Sequence, residues 1–167
     1  MRVFAILLFP LAALLSGCAA QRHTAAPDNR AYETALAALE AQRFVIDIDE
    51  VYGKKGRKAD AHQSYVRMQG SFAEFCFAPD FFRPRDTEGR MDRYQASDEN
   101  ASFKKIRTKR NGNVQFEIQG MLEWRKIHNR TCQITLYHDS NQVYLEFFNS
   151  FGSPEGSAKG VIRPLEE

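Results

Sequence analysis

The sequence has few cysteines, almost no net charge and only one long apolar run. Its 167 residues include three cysteines, and 23 basic residues against 21 acidic ones give a formal net charge of +2. Nucleic-acid-binding domains normally carry a strong basic excess, so this balance gives no general reason to expect a nucleic-acid partner. The apolar run stands at the N-terminus and no second one follows it, so nothing later in the chain predicts a membrane-spanning helix.

The sequence also lacks the common catalytic and metal-binding motifs. It has no His-Glu-x-x-His pair, no Cys-x-x-Cys pair and no Gly-x-Ser-x-Gly elbow, and its four histidines are scattered. His138 next to Asp139 is interpreted as a solvated pair at a hairpin turn. Asp47 and Asp49 share the wet face of a strand, where calcium would find too few of the roughly six to eight oxygens it requires. We therefore predict no catalytic residue, metal or cofactor.

The apolar run has the form of a signal peptide. Arg2 precedes thirteen uncharged residues that end at Leu15, and two small residues then stand directly before Cys18. Thirteen helical residues span only about 20 Å of a membrane core of about 30 Å, and Pro10 interrupts them, which argues against a transmembrane helix. The ending of the run resembles the lipobox of bacterial lipoproteins, which implies removal of residues 1–17 and attachment of lipid to Cys18.

The residues after the cysteine predict where such a protein resides. Residues 18–29 form the lipidated cysteine and a flexible polar tether, and residues 30–167 form a single domain. The residue after the cysteine is Ala19, not the Asp that would resemble an inner-membrane retention signal. The tether also lacks the acidic cluster after the cysteine that would resemble a surface-export signal. We expect anchoring in the outer membrane with the domain in the periplasm, and a net charge of +1 once the signal peptide is removed.

The two other cysteines leave two interpretations open. Cys76 and Cys132 are an even pair in an oxidising compartment. A bridge would close a loop of about 57 residues and stabilise the fold by roughly 4 kcal/mol. Cys132 alternates with polar residues and should point inward, whereas Cys76 shares a face with Glu74 and should point outward unless a bulge near Pro79 turns it. The pair is either a disulfide or two separate inert thiols.

The spacing of apolar residues predicts one helix followed by strands. Residues 30–42 carry apolar side chains at helical spacing, at Tyr32, Ala35, Leu36 and Leu39. The period then becomes two, which is typical of half-buried antiparallel strands. These strands are predicted at 44–49, 64–70, 72–77, 101–110, 113–120, 131–136, 143–148 and 158–163. We expect a mostly β fold, in which an amphipathic helix precedes an antiparallel meander of seven or eight strands forming a barrel or sandwich.

Two turns and one long loop are predicted between these strands. Asn111-Gly112 is typical of a type I′ hairpin turn, and residues 139–141 turn the next pair of strands. Residues 79–100 are predicted as a loop with six acidic and four basic side chains, and loops of that length are usually functional or disordered.

The long loop carries a candidate binding site for a ligand with an anionic group and an apolar face. Arg83 and Arg85 suit a carboxylate or phosphate, and Phe81 or Phe82 would supply the apolar contact. The alternative interpretation is that Phe81 fills the core while the arginines pair with neighbouring acidic residues.

A basic strand is the second candidate binding surface. Lys105 and Arg107 are predicted on one face of a strand together with Lys109, and Ile106 on the other. That face would attract an anionic glycan or lipid headgroup. The alternative is an edge strand that its charges protect from pairing. A further basic run lies at residues 54–58.

Part of the chain resembles small Bacteroidota lipoproteins that carry a domain of unknown function. Their mid-domain turn, Leu-Pro-Tyr-Phe-Gly-Arg, is matched here at Pro79, Phe81 and Arg83, while Asp80 and Phe82 replace Tyr and Gly. The resemblance implies a mostly antiparallel β domain and no established activity.

The two ends of the predicted domain extend the resemblance to about residues 32–163. Phe-Val-Ile-Asp at 44–47 resembles the family's opening strand, and Ser-Ala-Lys-Gly-Val-Ile at 157–162 its closing strand. We therefore expect a non-catalytic structural or binding module held to the membrane by lipid, with an apolar or anionic ligand or an envelope protein as partner. The alternative is a small envelope hydrolase with an unrecognised site.

Overall fold

The chain forms one helix and a series of antiparallel strands. The computed structural model describes residues 29–53, 56–77, 94–120 and 130–166. Within these ranges lie one helix and ten strands: α1 (Asn29–Glu40), β1 (Arg43–Gly53), β2 (Lys58–Ala59), β3 (Tyr65–Gln69), β4 (Phe72–Phe77), β5 (Tyr94–Asp98), β6 (Ser102–Thr108), β7 (Val114–Gly120), β8 (Arg130–Leu136), β9 (Gln142–Phe148) and β10 (Pro154–Pro164). The predicted mostly β fold with one N-terminal helix is confirmed.

Nine of the strands form one curled antiparallel sheet, a half-barrel. Their order is β5-β4-β3-β1-β10-β9-β8-β7-β6, and the short β2 pairs only with β1. Because β10 returns to pair with β1, the first and last strands of the described chain lie side by side in the middle of the sheet. The two edges are β5 and β6, which follow each other in sequence.

Two of the ten strands were not predicted, so the expected count of seven or eight is wrong. β2 is only two residues long. β5 lies at the end of the predicted loop 79–100 and pairs along its length with β4. Its sequence carries little apolar signal, since Ala96 is the one buried apolar side chain among those that the structure describes in this strand. The remainder of that loop, residues 79–93, lies outside the described residues.

The helix begins and ends close to its predicted limits. It was expected over residues 30–42 and runs from Asn29 to Glu40. It ends before Gln42, whose φ of 55° is left-handed and directs the chain into β1. Ala35 and Leu39 are buried in the core, and Tyr32 and Leu36 pack against it, so the predicted apolar face is the one that packs on the sheet.

Aromatic side chains from opposite parts of the sheet fill the half-barrel. Phe103 stacks on Phe116 with ring centroids 5.3 Å apart and lies 5.7 Å from the ring of Phe44. Phe147 meets Phe77 edge-on at 5.1 Å. These contacts join β1 to β6 and β4 to β9, strands that are not neighbours in the sheet, and make one continuous core of the described strands.

The hairpin at Asn111-Gly112 forms, but its turn is not of type I′. That turn requires positive φ at both central residues, and only Gly112 has one, at 83°. The amide of Gly112 donates to the carbonyl of Lys109 at 3.0 Å, and the amide of Lys109 donates to Asn113 at 2.8 Å. This pattern is a turn closed by a left-handed glycine, so the residue pair predicted the hairpin but not its geometry.

Candidate functional site

Most of the predicted ligand contacts lie outside the described residues. This applies to Cys18 and to the loop residues Phe81, Phe82, Arg83 and Arg85. Their assignment therefore stays a prediction from sequence.

The basic strand does not form the predicted patch. A bulge at Ile106 shifts the pairing of β6 with β7, so that Lys105 lies opposite Phe116 while Arg107 lies opposite Gln115. The bulge turns the two cations to opposite faces of the sheet. The Lys105 ammonium is 2.9 Å from Glu40 on the helix, and Arg107 donates to Gln115 at 2.7 Å. The prediction that both share one face is wrong, and β6 is an edge strand with its charges already engaged, as the alternative expected.

The candidate disulfide between Cys76 and Cys132 is not formed. Neither cysteine is part of a disulfide, and both are buried. Cys132 belongs to the core together with Phe75 and Phe77. Cys76 alternates with these two phenylalanines along β4, which pairs with both neighbours without a bulge, so its side chain lies on the opposite face of the sheet. The interpretation as two separate thiols describes the structure.

Neither thiol is expected to react in the native protein. Burial raises the pKa of the Cys132 thiol far above its usual range, and Cys76 is also buried, so the thiolate that alkylating reagents require is scarce or inaccessible. Iodoacetamide treatment followed by mass spectrometry should show both cysteines unmodified in folded protein and both modified in denaturant. Rapid labelling of Cys76 alone in the folded protein would contradict this expectation and favour an enzyme.

Of the acidic and histidine residues singled out from sequence, Asp47 and His138 are paired and Asp49 is exposed. Asp47 accepts from Arg163 at 2.7 Å, and Asp49 is the extra, exposed residue of a bulge in β1. His138 pairs with Asp139 at 2.5 Å beside the β8–β9 turn. In the described part of the chain, no group of three or more His, Cys, Asp or Glu side chains could hold a metal ion.

A network of charges on the outer face of the sheet, opposite the core, is centred on Glu50. Its carboxylate is 2.8 Å from the ammonium of Lys159 and 3.6 Å from that of Lys58, and it accepts from the Tyr52 hydroxyl at 2.8 Å. The hydrogen bond from Lys159, followed by that from Tyr52, lowers the pKa of Glu50 to about 2. The network joins β1 to β2 and β10.

The Glu50 carboxyl should titrate at unusually low pH. Its pKa of about 2 lies below the usual 4.5, so the network stabilises the fold above pH 4.5 and that contribution is lost as the pH falls towards 2. The groups are exposed, so the effect on stability is small, and NMR titration of the carboxyl is the sensitive measurement. Lys159→Ala should raise the midpoint towards 4.5, and Lys58→Ala should raise it less. An unchanged midpoint in Lys159→Ala would contradict the assigned cause.

A second network, on the outer face of β3, β4 and β5, buries a carboxylate. Glu74 is only 6% exposed, lies 2.9 Å from the guanidinium of Arg67 and accepts from the Gln95 amide at 2.6 Å. Burial and the nearby Glu74 raise the pKa of Tyr65. A buried carboxylate that has lost its partner is costly, so the contacts of Glu74 with Arg67 and Gln95 stabilise the packing of β3, β4 and β5.

The described surface contains a groove between the helix and the last strand. Its volume is about 270 Å³, and its lining includes Arg30, Ala31 and Thr34 of α1, Asn141 of the β8–β9 turn, and Ile162 and Arg163 of β10. The groove exists because the helix presents small side chains to β10 at this point. Its floor is formed by two buried apolar residues, Ala35 and Ile162.

Polar residues border this apolar floor. Arg163 is held by Asp47, with its Nε at 2.7 Å and Nη2 at 3.5 Å from the carboxylate oxygens, and this pairing raises the pKa of Arg163. This bond places the Arg163 guanidinium on the outer face of the sheet, opposite Ile162 and the helix. Arg30 makes no ion pair within the described part of the chain, and the Asn141 amide donates to the carbonyl of Ile162 at 3.4 Å. The groove therefore combines an apolar floor with polar groups from Arg30, Thr34 and Asn141 along its edge.

Sequence reasoning missed this groove because its walls are far apart in the chain. Ala31 and Ala35 are four residues apart on the helix, a spacing that places them on one face. This pair of small residues was the only feature of the sequence that could have indicated a groove. The other wall comes from β10, more than 120 residues later. Its closeness to the helix depends on the pairing of β10 with β1.

The fold and the groove define a class of mostly β domains in which one amphipathic helix packs on an antiparallel half-barrel. No family model matches the sequence, and no curated protein matches it. The fold is similar to that in the crystal structure of a DUF4251 family protein from Bacteroides eggerthii, with a TM-score of 0.59 over 82% of this chain and 89% of that chain. The two sequences are 20% identical, so the likeness shows a shared fold. The expected likeness to Bacteroidota domains of unknown function is thus supported at the level of the fold.

Proposed function

We propose that the protein is a lipid-anchored module of the bacterial cell envelope that binds a ligand or partner without catalysing a reaction. Lipid on Cys18 holds it in the outer membrane, and the domain faces the periplasm. The groove between α1 and β10 supports the binding role, because it is a concave site with an apolar floor and polar residues along its edge.

The sequence at the N-terminus supports the anchoring. A thirteen-residue apolar run followed by two small residues and Cys18 has the order of a lipoprotein signal peptide. The one helix that the structure describes, α1, is not long and apolar enough to cross a membrane. From Cys18 to the start of α1 at Asn29 there are eleven steps along the chain, which reach at most about 40 Å, so a lipid on the cysteine would keep the domain close to the membrane.

The packing of the half-barrel supports binding at the surface rather than inside. The strands that enclose the interior fill it with their own side chains, among them Phe44, Phe77 and Phe116, each at most 1% exposed. A ligand in that space would have to displace these rings from the core. The groove needs no such rearrangement.

Replacing Cys18 by alanine should release the protein from the membrane. Without the thiol no lipid can be attached, and the variant should lose incorporation of a palmitate label and disappear from the outer-membrane fraction after a high-salt wash. Fractionation and immunoblotting measure this directly. Ala19→Ser keeps the thiol and should fractionate like the unaltered protein. If Cys18→Ala still sediments with outer membrane at high salt, lipid is not the anchor.

A further inference from the structure

We propose that three cations at the end of β6, Arg107, Lys109 and Arg110, bind the anionic phospholipid headgroups of the membrane that carries the lipid anchor. We call these three residues the basic end of β6. The inference rests on the proposed function, since the lipid on Cys18 brings the domain to the membrane. It deepens that function by assigning the surface of the domain that faces the membrane.

The bulge in β6 separates these cations from the rest of the strand. It lies at Ile106, turns Lys105 to the inner face and leaves Arg107 on the outer face of the sheet. Lys109 follows Arg107 by two residues, a spacing that places both side chains on one face of a strand. Arg110 is exposed in the turn that follows. The three cations therefore lie close together at one end of the strand.

The neighbours of the basic end do not neutralise its charge. Within the described ranges, none of its three side chains makes an ion pair. Arg107 donates its Nε to the amide oxygen of Gln115 at 2.7 Å, and the next residue of the same cross-strand row is Thr135. Both neighbours are neutral, so the guanidinium keeps its positive charge, and its Nη donors remain for an anion.

Two acidic residues near the basic end are already paired with other cations. Glu117, two residues beyond Gln115 on β7, is 2.8 Å from the ammonium of Lys104. Asp139, in the β8–β9 turn, pairs with His138. An anion that approaches the basic end therefore meets uncompensated positive charge, and arginine forks suit the oxygens of a phosphate.

The basic end lies beside the start of the helix, from which the chain leads back to Cys18. The ring of Tyr32, in the first turn of α1, is 5.6 Å from the ring of His138. The amide of His138 donates to the side chain of Asn113 at 2.9 Å, and Asn113 closes the turn that contains Arg110. The start of the helix and the cations therefore lie at the same end of the domain, and a lipid on Cys18 would hold that end close to the membrane.

A membrane surface fits this position and charge better than a second copy of the chain does. Basic residues near an anionic leaflet bind it through its surface potential, which falls off within one Debye length, about 8 Å at physiological salt. A second copy would present the same positive charge and be repelled. Lipid on the cysteine sets the distance between domain and membrane, and the basic end would set the orientation of the domain.

Lysine labelling of the lipidated protein in nanodiscs, read by mass spectrometry, tests the proposal. Sulfo-NHS-acetate should acetylate Lys109 at least about threefold more slowly in discs with about 30% phosphatidylglycerol than in discs of phosphatidylcholine alone, because bound headgroups shield its ammonium. Sodium chloride at about 0.5 M should remove the difference, because salt screens the attraction. Lys58, which pairs near the far end of β1, is the internal control and should react at the same rate in both discs.

Substitution of the arginines tests whether the basic end causes the protection of Lys109. The double variant Arg107→Gln, Arg110→Gln should abolish it, since two of the three charges are removed. Arg110→Gln alone should weaken it. Arg57→Gln is the matched control for that single variant, because it removes one exposed charge near the far end of β1, and it should leave the protection unchanged.

Equal labelling of Lys109 in the two kinds of disc would overturn the proposal, and so would full protection in the double variant. Equal protection of Lys58 would also overturn it, because the effect would then be a general one of the anionic surface. The intact mass of the protein in the discs reports the lipid on Cys18 separately. An unmodified cysteine would overturn the anchor and the proposal together, whereas a lipidated protein without protection of Lys109 would overturn the proposal alone.

Discussion

Replacing Gly160 by alanine should destabilise the protein by about 3 kcal/mol. Gly160 lies opposite Ile48 in the antiparallel pair of β10 and β1. A Cβ at this position would lie only 2.2 Å from the carbonyl oxygen of Asp47. That oxygen belongs to the backbone, so no change of rotamer relieves the clash. The two central strands would have to separate, and overpacking of this kind typically costs about 1–3 kcal/mol.

Urea denaturation followed by circular dichroism measures the loss in Gly160→Ala. Val161→Thr is the control, because Val161 is the next residue of the same strand and is half-buried on the other face. The substitution keeps the size of the side chain. It should change the free energy of unfolding by about 1 kcal/mol or less. An unchanged midpoint in Gly160→Ala would show that β1 and β10 are not packed as closely as described.

Phe44→Ala should destabilise the protein by about 3–5 kcal/mol. Phe44 is fully buried in β1, and its ring lies 5.7 Å from that of Phe103 on the edge strand β6. Removing the ring leaves a cavity between strands that are joined only through the core, and Phe→Ala substitutions in cores cost about this much. The edge strand should lose protection first, which hydrogen exchange of β6 amides detects.

Phe151→Ala is the matched control for that substitution. Phe151 lies in the β9–β10 turn and is 85% exposed, so its replacement should change the free energy of unfolding by about 0.5 kcal/mol or less. Equal losses for the two variants would contradict the assignment of Phe44 to the core.

The sequence predicted the helix and the strands in which apolar residues recur at a regular spacing. Alternation identified β1, β7, β8 and β9 and their buried faces, because one face of each strand packs on the core and the other does not. The helix was predicted with its apolar face because Ala35 and Leu39 recur at helical spacing. The fold class followed from these elements.

Features that depend on non-local pairing could not be predicted in this way. The bulge at Ile106 reversed the face of Arg107 relative to Lys105, because a single extra residue shifts every later side chain. β5 has almost no apolar signal and exists because it pairs with β4 and because Gln95 bonds to Glu74.

The sequence by itself determined the helix-then-strands order, the core-facing residues of the strong strands and the signal-peptide pattern that ends at Cys18. These features depend on the order of neighbouring residues, which is visible in the sequence. Only the tertiary structure decided that β10 pairs with β1, that Cys76 and Cys132 lie on opposite faces, and that α1 and β10 border one groove. These features depend on contacts between residues far apart in the chain, and such contacts are set by strand register and by the curl of the sheet.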